Sequence, residues 1–419
     1  MSRNRTLRNL GFFLTLILSQ IPVSAQVKNH LPYSIFGIGE ISSKGFSRNL
    51  GMGKSGIALS SGLFLNNLNP ASYFSMDSIS FFFDFGLSGD FVKYSTQNNS
   101  PQRGHDINMR NIALGFRVNR NWSSSFGIVP FSTVAYQITT TNDVEGTTDL
   151  YTIKQSGSGG LNQFYWDNSY LLFKHLSLGL TASYLFGNIE SEEEVTYDKF
   201  ASAIISDKTS RLNKVFFDFG FQYYLTVHKD FLVTLGGVFG SSHRLNFKES
   251  IMISLSNGQV FEDKITQQGS FDLPLYYGAG VAVNWAGRLT LSGDYMYHDW
   301  SSVASDNTEF NYNSNHSFRI GAEYIPSRLN QYGYMGRMSY RLGYFHEGSN
   351  IQLRNTAITD NGLTFGIGIP FLKNKTSINL SYIRGIKGSL NNGLILDNYN
   401  SFYLSLTLHD WWFIKPKYD

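Results

Sequence analysis

Side chains that could support catalysis are scattered along this chain rather than grouped. The nine histidines are dispersed, and serine is too frequent for any one Ser–His pair to stand out. Hydrolytic enzymes, by contrast, need a nucleophile and a base within hydrogen-bond reach. The chain has no cysteine, and its histidines and carboxylates lack the spacing of a metal site. The sequence therefore predicts no enzyme, no catalytic residue, no metal ligand and no cofactor.

One acidic run stands apart from this scatter. Glu190, Glu192, Glu193 and Glu194 occur within five consecutive positions, and such a run could hold a divalent cation through its carboxylates. The alternative, which we favour, is a solvated rim near the top of a strand.

Apolar and polar side chains alternate in period two over most of the chain. Between Phe217 and Tyr223 the odd positions are aromatic, and the even positions are Asp218, Gly220 and Gln222. Since successive side chains of a strand point to opposite faces, one face is apolar and the other is small or charged. The charged positions on the polar faces are Asp84, Arg117, Asp218, Asp294, Arg319, Glu323 and Arg341.

These charges have mixed signs, which bears on their role. Mixed charges inside a barrel usually pair with one another or with a segment in the lumen, so we interpret them mainly as structural. An arginine such as Arg117 or Arg319 could instead hold a ligand carboxylate, because a guanidinium fork matches that group. The sequence leaves this choice open.

The composition is that of a chain that meets both lipid and water. Only 16% of the residues are charged, although 42% are hydrophobic and the mean hydropathy is −0.18; soluble domains usually carry about 25% charged residues. After the N-terminus we find no apolar run of roughly 18 residues, the length of a membrane helix. The net charge of +3 is too small to indicate nucleic-acid binding. An all-β transmembrane barrel fits these features.

The lengths of the connections separate a membrane barrel from a soluble β-sandwich, which has the same alternation. Short turns at 119–122, 227–230 and 286–287 alternate with long polar loops at 93–106, 195–211 and 301–315. Short turns on one side and long loops on the other are typical of outer-membrane barrels.

About fourteen strands are predicted, an even number that puts both ends of the barrel on the side of the short turns. The segment 145–173 is kept as one bent strand in spite of Gly157, Gly159 and Gly160. The predicted strands are 78–92, 107–119, 123–140, 145–173, 176–195, 211–227, 230–248, 263–285, 288–300, 315–326, 336–348, 361–371, 376–388 and 399–410.

The C-terminal strand is expected to close the barrel. Phe402, Leu404, Leu406 and Leu408 share one face, and polar residues share the other. As the edge of an open sheet this strand would be an aggregation hazard, and closure removes the edge. Its aromatic end, 411–413, is followed by a short basic tail, 415–419.

The N-terminus predicts two further segments. Arg3, Arg5 and Arg8 precede an apolar stretch and the small residues before Gln26, which together indicate a signal peptide over 1–25; the alternative is an uncleaved helical anchor. Residues 26–77 are too rich in glycine for a lipid-facing strand, and close packing of glycine backbone predicts a plug inside the barrel; the alternative is a periplasmic extension. The barrel itself is expected over 78–419.

Part of the predicted plug resembles the FadL family of outer-membrane transporters of hydrophobic compounds. The resemblance lies in the glycine-rich stretch that contains Gly51 and Gly53, followed by Asn69, Pro70 and Ala71 just before the first strand. It covers about twenty-five residues, and the rest of the match is architectural. The aromatic end with its basic tail is similar to a Bacteroidetes-type, PorV-like branch of that family.

The resemblance implies a route for a ligand. In that family a hydrophobic ligand enters from outside, binds in the lumen and leaves sideways through a gap at a kink in the third strand. Here the third strand carries Pro130, and proline belongs at an edge or bulge because it lacks a ladder donor. Pro130 therefore predicts a local opening; a tolerated bulge is the alternative.

We expect an outer-membrane channel for uptake of hydrophobic small molecules, similar to long-chain fatty acids, by lateral diffusion through the wall. The alternatives are a non-transporting partner subunit of a secretion or barrel-assembly complex and, third, a barrel enzyme. The expected contacts are membrane lipid and lipopolysaccharide, a hydrophobic ligand and other outer-membrane proteins, but not nucleic acid. The residues expected to bind the ligand or gate its path are Gly51, Gly53, Asn69, Pro70, Ala71, Pro130, Arg117 and Arg319.

Overall fold

The computed structural model describes residues 31–77, 80–97, 99–197, 199–200, 202–303, 310–327, 333–371 and 376–411. The predicted signal peptide (1–25), the first residues of the predicted plug (26–30), Trp412, Phe413 and the basic tail lie outside these residues. Within the described residues, no helix is long and apolar enough to cross a membrane.

The period-two segments form one closed antiparallel barrel of fourteen strands. The predicted fold class and strand count are thus confirmed. The strands, numbered in chain order, are β1 (Ser80–Ser95), β2 (Gln102–Arg117), β3 (Trp122–Asp143), β4 (Leu150–Leu172), β5 (Leu176–Tyr197), β6 (Ile204–His228), β7 (Phe231–Gly240 and His243–Leu255), β8 (Val260–Leu273 and Tyr276–Trp285), β9 (Leu289–His298), β10 (Asn315–Tyr324), β11 (Ser339–Leu353), β12 (Thr356–Phe371), β13 (Thr376–Gly388) and β14 (Leu396–Trp411).

The closing strand behaves as its alternation predicts. β14 pairs with β1 from Leu396 opposite Ser95 to Trp411 opposite Ser80. Phe402 and Leu404 are half exposed on the outside of the wall, whereas Thr407 is buried on the inside. Closure leaves this strand no free edge and gives its apolar face to lipid.

Two strands differ from the sequence-based expectation of unbroken strands over 230–248 and 263–285. β7 is interrupted at Ser241 and Ser242, and β8 at Pro274 and Leu275, at the same level of the wall. Pro274 cannot donate to the ladder, which accounts for the break in β8. β4 is unbroken, as predicted, and bends at its glycines.

At one end of the barrel, the strands extend further than the pattern of polar and apolar residues predicts. The expected loop 195–211 is mostly strand, because β5 continues to Tyr197 and β6 begins at Ile204. Such extensions are polar on both faces, so they lack the hydrophobic alternation that marks a half-buried strand. We call this end of the barrel the long-strand end. The opposite, short-turn end carries the brief connections between β2 and β3, β4 and β5, β6 and β7, and β8 and β9.

Residues 31–77, here called the N-terminal segment, fold against the inner side of the wall. The segment contains a 3₁₀ turn (Pro32–Ile35), a two-residue strand (Glu40–Ile41), one helical turn α1 (Ser47–Leu50) and a second 3₁₀ turn (Pro70–Ser75). Every residue from Gly45 to Leu59 is buried. A segment with so little regular structure remains ordered only because the wall supplies its contacts.

Candidate functional site

The N-terminal segment approaches the wall where only glycine leaves room. A Cβ on Gly343 of β11 would overlap the backbone of Gly53, and a Cβ on Gly321 of β10 would overlap the carbonyl of Met52. Gly53 has a φ of 65°, which favours glycine, and a Cβ on Gly51 would lie 2.8 Å from the Ser381 hydroxyl oxygen. Gly51 and Gly53 therefore lie in backbone-to-backbone contact with β10–β13.

Asn69, Pro70 and Ala71 attach the other end of the segment to the wall. The Asn69 side chain donates to the carbonyls of Ile57 at 2.8 Å and Phe221 at 3.0 Å, and it accepts from Ala71 N at 3.0 Å. The Ala71 carbonyl accepts from the hydroxyl of Ser177 at 2.8 Å. All three residues are buried, and they join the segment to β5 and β6.

A buried carboxylate between two arginines secures α1. Glu323 of β10 accepts from the Arg48 guanidinium at 2.7 Å and from the Arg341 guanidinium at 2.6 Å. Arg341 also donates to Asn379 and Ser339 at 3.0 and 2.7 Å. Since a buried charge is tolerated only when it is paired and hydrogen-bonded, this cluster holds the segment in one position.

A second buried carboxylate joins the segment to the middle of the lumen. Glu347 of β11 contacts the Lys54 ammonium at 2.7 Å and the Arg319 guanidinium at 2.7 Å, and Asp360 lies 3.6 Å from Lys54. Arg319, which the sequence suggests for holding a carboxylate ligand, thus already has a carboxylate partner.

Further predicted lumen charges also contact the segment or the wall. The Asp294 carboxylate accepts from the backbone N–H groups of Gly56 and Ile57 at 2.6 and 3.0 Å, and Asp218 lies 3.6 Å from the Lys44 ammonium. Arg117 donates to the carbonyl of Met76 at 2.8 Å. Arg117 lies at the short-turn end and connects the C-terminal end of the segment to the β2–β3 turn.

The wall opens between β2 and β3. The two strands pair only from Arg117 opposite Ser123 to Ile112 opposite Ile128, although both continue far beyond that point. Beyond Ile112, β2 pairs only with β1, and β3 pairs with β4. The structure therefore places Pro130 where the β2–β3 ladder has ended.

A line of backbone irregularities crosses the three strands beside this opening. The β3–β4 register shifts between Pro130 and Ser132, which leaves Phe131 as a bulge. Gly160 of β4 and Gly187 of β5 have φ values of 145° and 155° and lie next to this bulge in the ladders. Bulges and glycines bend strands, so we expect β3–β5 to bend at this level.

The N-terminal segment supplies a short strand to the free edge of β3. Glu40 lies opposite Thr133 and Ile41 opposite Ser132, and the Ser42 N–H donates to the Phe131 carbonyl at 2.9 Å. The Glu40 carboxylate contacts Lys387 of β13 at 2.6 Å. Further along this edge, the Ala135 N–H donates to the Ser34 hydroxyl at 3.0 Å and the Ala135 carbonyl accepts from the Leu31 N–H at 2.5 Å. The segment therefore covers the edge of β3 from Phe131 to Ala135.

Two cavities meet at this strand. The first, of about 270 Å³, lies between the segment and β6–β11, and the second, of about 540 Å³, reaches the opening and its glycines. Burial, followed by the Asp397 carboxylate, raises the pKa of Tyr33 to about 12; its neutral phenol lines the first cavity and donates to the Ile395 carbonyl at 2.6 Å. The residues that line both cavities include Glu40, Ile41, Ser42, Ser43, Arg110 and Pro130.

Two of the eight residues singled out by sequence lie at these cavities. Pro130 lines both, and Arg319 lines the first. The other six, Gly51, Gly53, Asn69, Pro70, Ala71 and Arg117, lie where the segment joins the wall. Sequence reasoning missed the cations of the segment, Lys44, Arg48 and Lys54, although their place in a glycine-rich stretch opposite predicted lumen carboxylates was a usable signal.

Replacing Glu323 should loosen the segment. Glu323→Gln leaves two buried guanidinium groups without their carboxylate, and breaking a buried pair costs about 3–5 kcal/mol. We expect trypsin to cleave the folded barrel after Arg48, as detected by mass spectrometry of the N-terminal fragments. The matched control is Glu192→Gln, which removes an exposed carboxylate; equal protection of Arg48 in both variants would contradict the role given to Glu323.

Solved structures of low identity share this fold. The toluene transporter TbuX of Ralstonia pickettii is 13% identical, with a TM-score of 0.55 over 87% of this chain and 98% of that one. A FadL homologue of Pseudomonas aeruginosa is 11% identical, with a TM-score of 0.58 over 90% and 100% of the two chains. The P. putida toluene transporter TodX is 13% identical, with a TM-score of 0.57 over 89% and 100%. At these identities the likeness shows the fold.

The fold is that of an outer-membrane protein that crosses the bilayer with its strands; in such barrels the short turns lie on the periplasmic side. The likeness to the FadL family is borne out at the level of fold, whereas the PorV-like, Bacteroidetes-type branch stays a prediction.

Comparison of the sequence with protein-family models identifies a family. No curated protein sequence matches the chain significantly. The family model BamG matches residues 7–419, which include the segment, both buried ion clusters and the whole described barrel. The chain therefore belongs to the BamG family.

Proposed function

We propose that this protein is a channel that takes up small hydrophobic compounds and releases them sideways into the outer membrane. One observation carries the proposal: the β2–β3 ladder stops at Ile112 and Ile128, and a cavity lies directly behind the place where it stops. Unpaired backbone N–H and C=O groups in a membrane barrel cost free energy. An opening that persists in spite of this cost therefore indicates a function.

A path along the barrel axis is disfavoured by the packing of the N-terminal segment. Residues from Gly45 to Leu59 are buried, and the two ion clusters bind Arg48 and Lys54 of this stretch to the neighbouring strands β10 and β11. We propose that the segment acts as a plug, so that a compound in the outer part of the lumen has only the opening in the wall as an exit.

The first cavity suits a small apolar guest. Two pairs of its charged side chains neutralise each other, Arg319 with Glu347 and Lys44 with Asp218. Its volume of about 270 Å³ lies just below the roughly 300–1,000 Å³ of ligand pockets. The apolar side chains that line it include Phe46, Val129, Phe131, Phe216, Leu273 and Trp300. This size favours a compound smaller than a long-chain fatty acid, and two of the solved relatives of similar fold are named as toluene transporters.

A reversible cross-link across the opening tests the lateral route. The chain has no cysteine, so Asn108→Cys on β2 and Asn162→Cys on β4, both at the rim of the second cavity, can be joined by a bis-thiosulfonate reagent. We expect the cross-link to abolish the uptake of radiolabelled toluene by cells that carry the protein, because the exit is bridged. Reduction should restore the uptake rate.

The control pair is Asn361→Cys and Asn398→Cys, which lie on the outer face of β12 and β14 where the wall is closed. Cross-linking this pair should leave uptake unchanged. Unchanged uptake when the Asn108–Asn162 pair is cross-linked would overturn the lateral route.

A second candidate function is a partner subunit of an outer-membrane secretion or barrel-assembly complex. Strands β3–β6 have 22, 23, 22 and 25 residues, whereas about 9–11 suffice to cross the bilayer. The outward extension leaves β3 from Tyr136 to Thr141 without a charge and without a ladder partner on the β2 side within the described residues. Uncharged free edges are normally covered in native proteins, which favours a partner strand there.

A photoreactive amino acid separates the two candidates. Placed at Thr139 on the free edge, it should cross-link to one outer-membrane protein in cells if the partner function holds, and placed at lipid-facing Phe219 it should not. For the channel function we expect no protein adduct at Thr139, and mass spectrometry of the protein purified without added lipid should find a stoichiometric hydrophobic compound. An empty lumen together with a specific adduct at Thr139 would favour the partner subunit.

A further inference from the structure

The lipid-facing side chains of β13, β14, β1 and β2 change character in a fixed order toward the long-strand end. One row across the four strands is aliphatic, with Leu380, Leu404, Leu87 and Met109 side by side. The next row outward contains Tyr382 and Phe402, whose ring centroids are 5.0 Å apart. Aliphatic rows followed by aromatic ones mark the passage from the hydrocarbon core to the membrane interface.

The next two rows outward are basic. Arg384, Asn400, Phe91 and His105 form one row, and Ile386, Asn398, Lys93 and Arg103 form the other. On β1 the outward face is apolar from Phe81 to Phe91, which at about 3.3 Å per residue and a tilt of about 45° spans roughly 23 Å, close to the ~25 Å apolar band of such barrels. Lys93 is the first charge beyond that band and therefore lies at headgroup level.

Lys93 and Arg103 are directly opposite each other on β1 and β2, and both are exposed. Like charges in directly opposed positions destabilise a sheet, yet no carboxylate faces outward in either basic row of these four strands. The Arg384 guanidinium, one row nearer the membrane, donates to Asn400 at 3.2 Å. Because no carboxylate of these two rows pairs with Lys93 and Arg103, we expect an anion from outside the chain to bind them at headgroup level.

We propose that Lys93 and Arg103, supported by Arg384, form a binding site for the phosphate of an outer-leaflet lipid. The acyl chains of that lipid pack against the aliphatic row, and its phosphate lies between the two cations. The aromatic row contacts the part of the lipid between the chains and the phosphate. A lipid phosphate is favoured over a free one because the cations continue an apolar and aromatic surface that holds chains. The three cations line neither cavity, although Met109 of the aliphatic row also lines the second one. Because the phosphate-binding cations lie on the outer face of the wall, the site does not depend on the channel function.

The test compares a phosphorylated lipid A disaccharide, its dephosphorylated form and inorganic phosphate as probes, with native mass spectrometry of the full-length barrel in detergent. We expect the phosphorylated lipid alone to be retained, with an affinity that falls as salt is added. The double variant Lys93→Gln/Arg103→Gln should bind it roughly 20- to 30-fold more weakly, since each cation near a charged membrane surface contributes about five-fold in affinity.

Both residues are exposed, so the variant should fold, which the heat-modifiable migration of the barrel in SDS gels verifies. The matched control, Arg120→Gln/Lys229→Gln, removes two exposed cations from the short-turn end and should bind as the wild type does. Equal affinity in the two double variants would overturn the proposal. Retention of the dephosphorylated lipid, or equal binding of inorganic phosphate alone, would also overturn the assignment to a lipid phosphate.

Discussion

Two buried carboxylates, each held between two cations, are the interaction on which the interior of this barrel depends. Glu323 joins Arg48 of the N-terminal segment to Arg341 of the wall, and Glu347 joins Lys54 to Arg319. Neither segment cation could stay buried without its partner, because an unpaired charge in a low-dielectric interior costs several kcal/mol. The segment has one α-helical turn and two 3₁₀ turns of its own, so its position is determined by these pairs and by the glycines of the wall that let its backbone approach.

The packing of the N-terminal segment and the broken ladder belong to one arrangement. The β2–β3 ladder stops at Ile112 and Ile128, and the β3–β4 register shifts at Phe131, three residues further along β3. The segment then contributes Glu40 and Ile41 to the exposed edge of β3. Because the hydrocarbon region holds no water to satisfy backbone groups, this short strand reduces the cost of keeping the wall open at that level.

Much of the fold could be predicted from the sequence because period-two alternation records which side chains meet lipid. That record gave the strand number, the closing role of Phe402 and its neighbours, and the unbroken bent strand through Gly159 and Gly160. It failed where both faces meet water, so the outward extensions of β5 and β6 were expected to be loops. It also missed the interruption of β7 at Ser241, since no local signal there distinguishes a break from a small polar residue.

The candidate site was predictable only in part for a related reason. Pro130 predicts an interruption of the ladder because it has no backbone N–H, and this prediction requires no knowledge of its neighbours. The pairing of Glu347 with Lys54 joins residues almost three hundred positions apart, and only the folded register brings them together. Asn69 could be singled out by its motif, but its contact with the Phe221 carbonyl, which fixes the segment to β6, depends on the same register.

We propose that a hydrophobic compound leaves through the wall beside β3 and not along the barrel axis. Photoaffinity labelling with a diazirine-bearing alkylbenzene, followed by mass spectrometric mapping of the modified residues, distinguishes the two routes. Exit through the wall predicts adducts on residues that line the cavities and the opening, such as Ile41, Met109 and Pro130. Adducts concentrated on Met52 and Ile57, in the sealed part of the lumen, would contradict it.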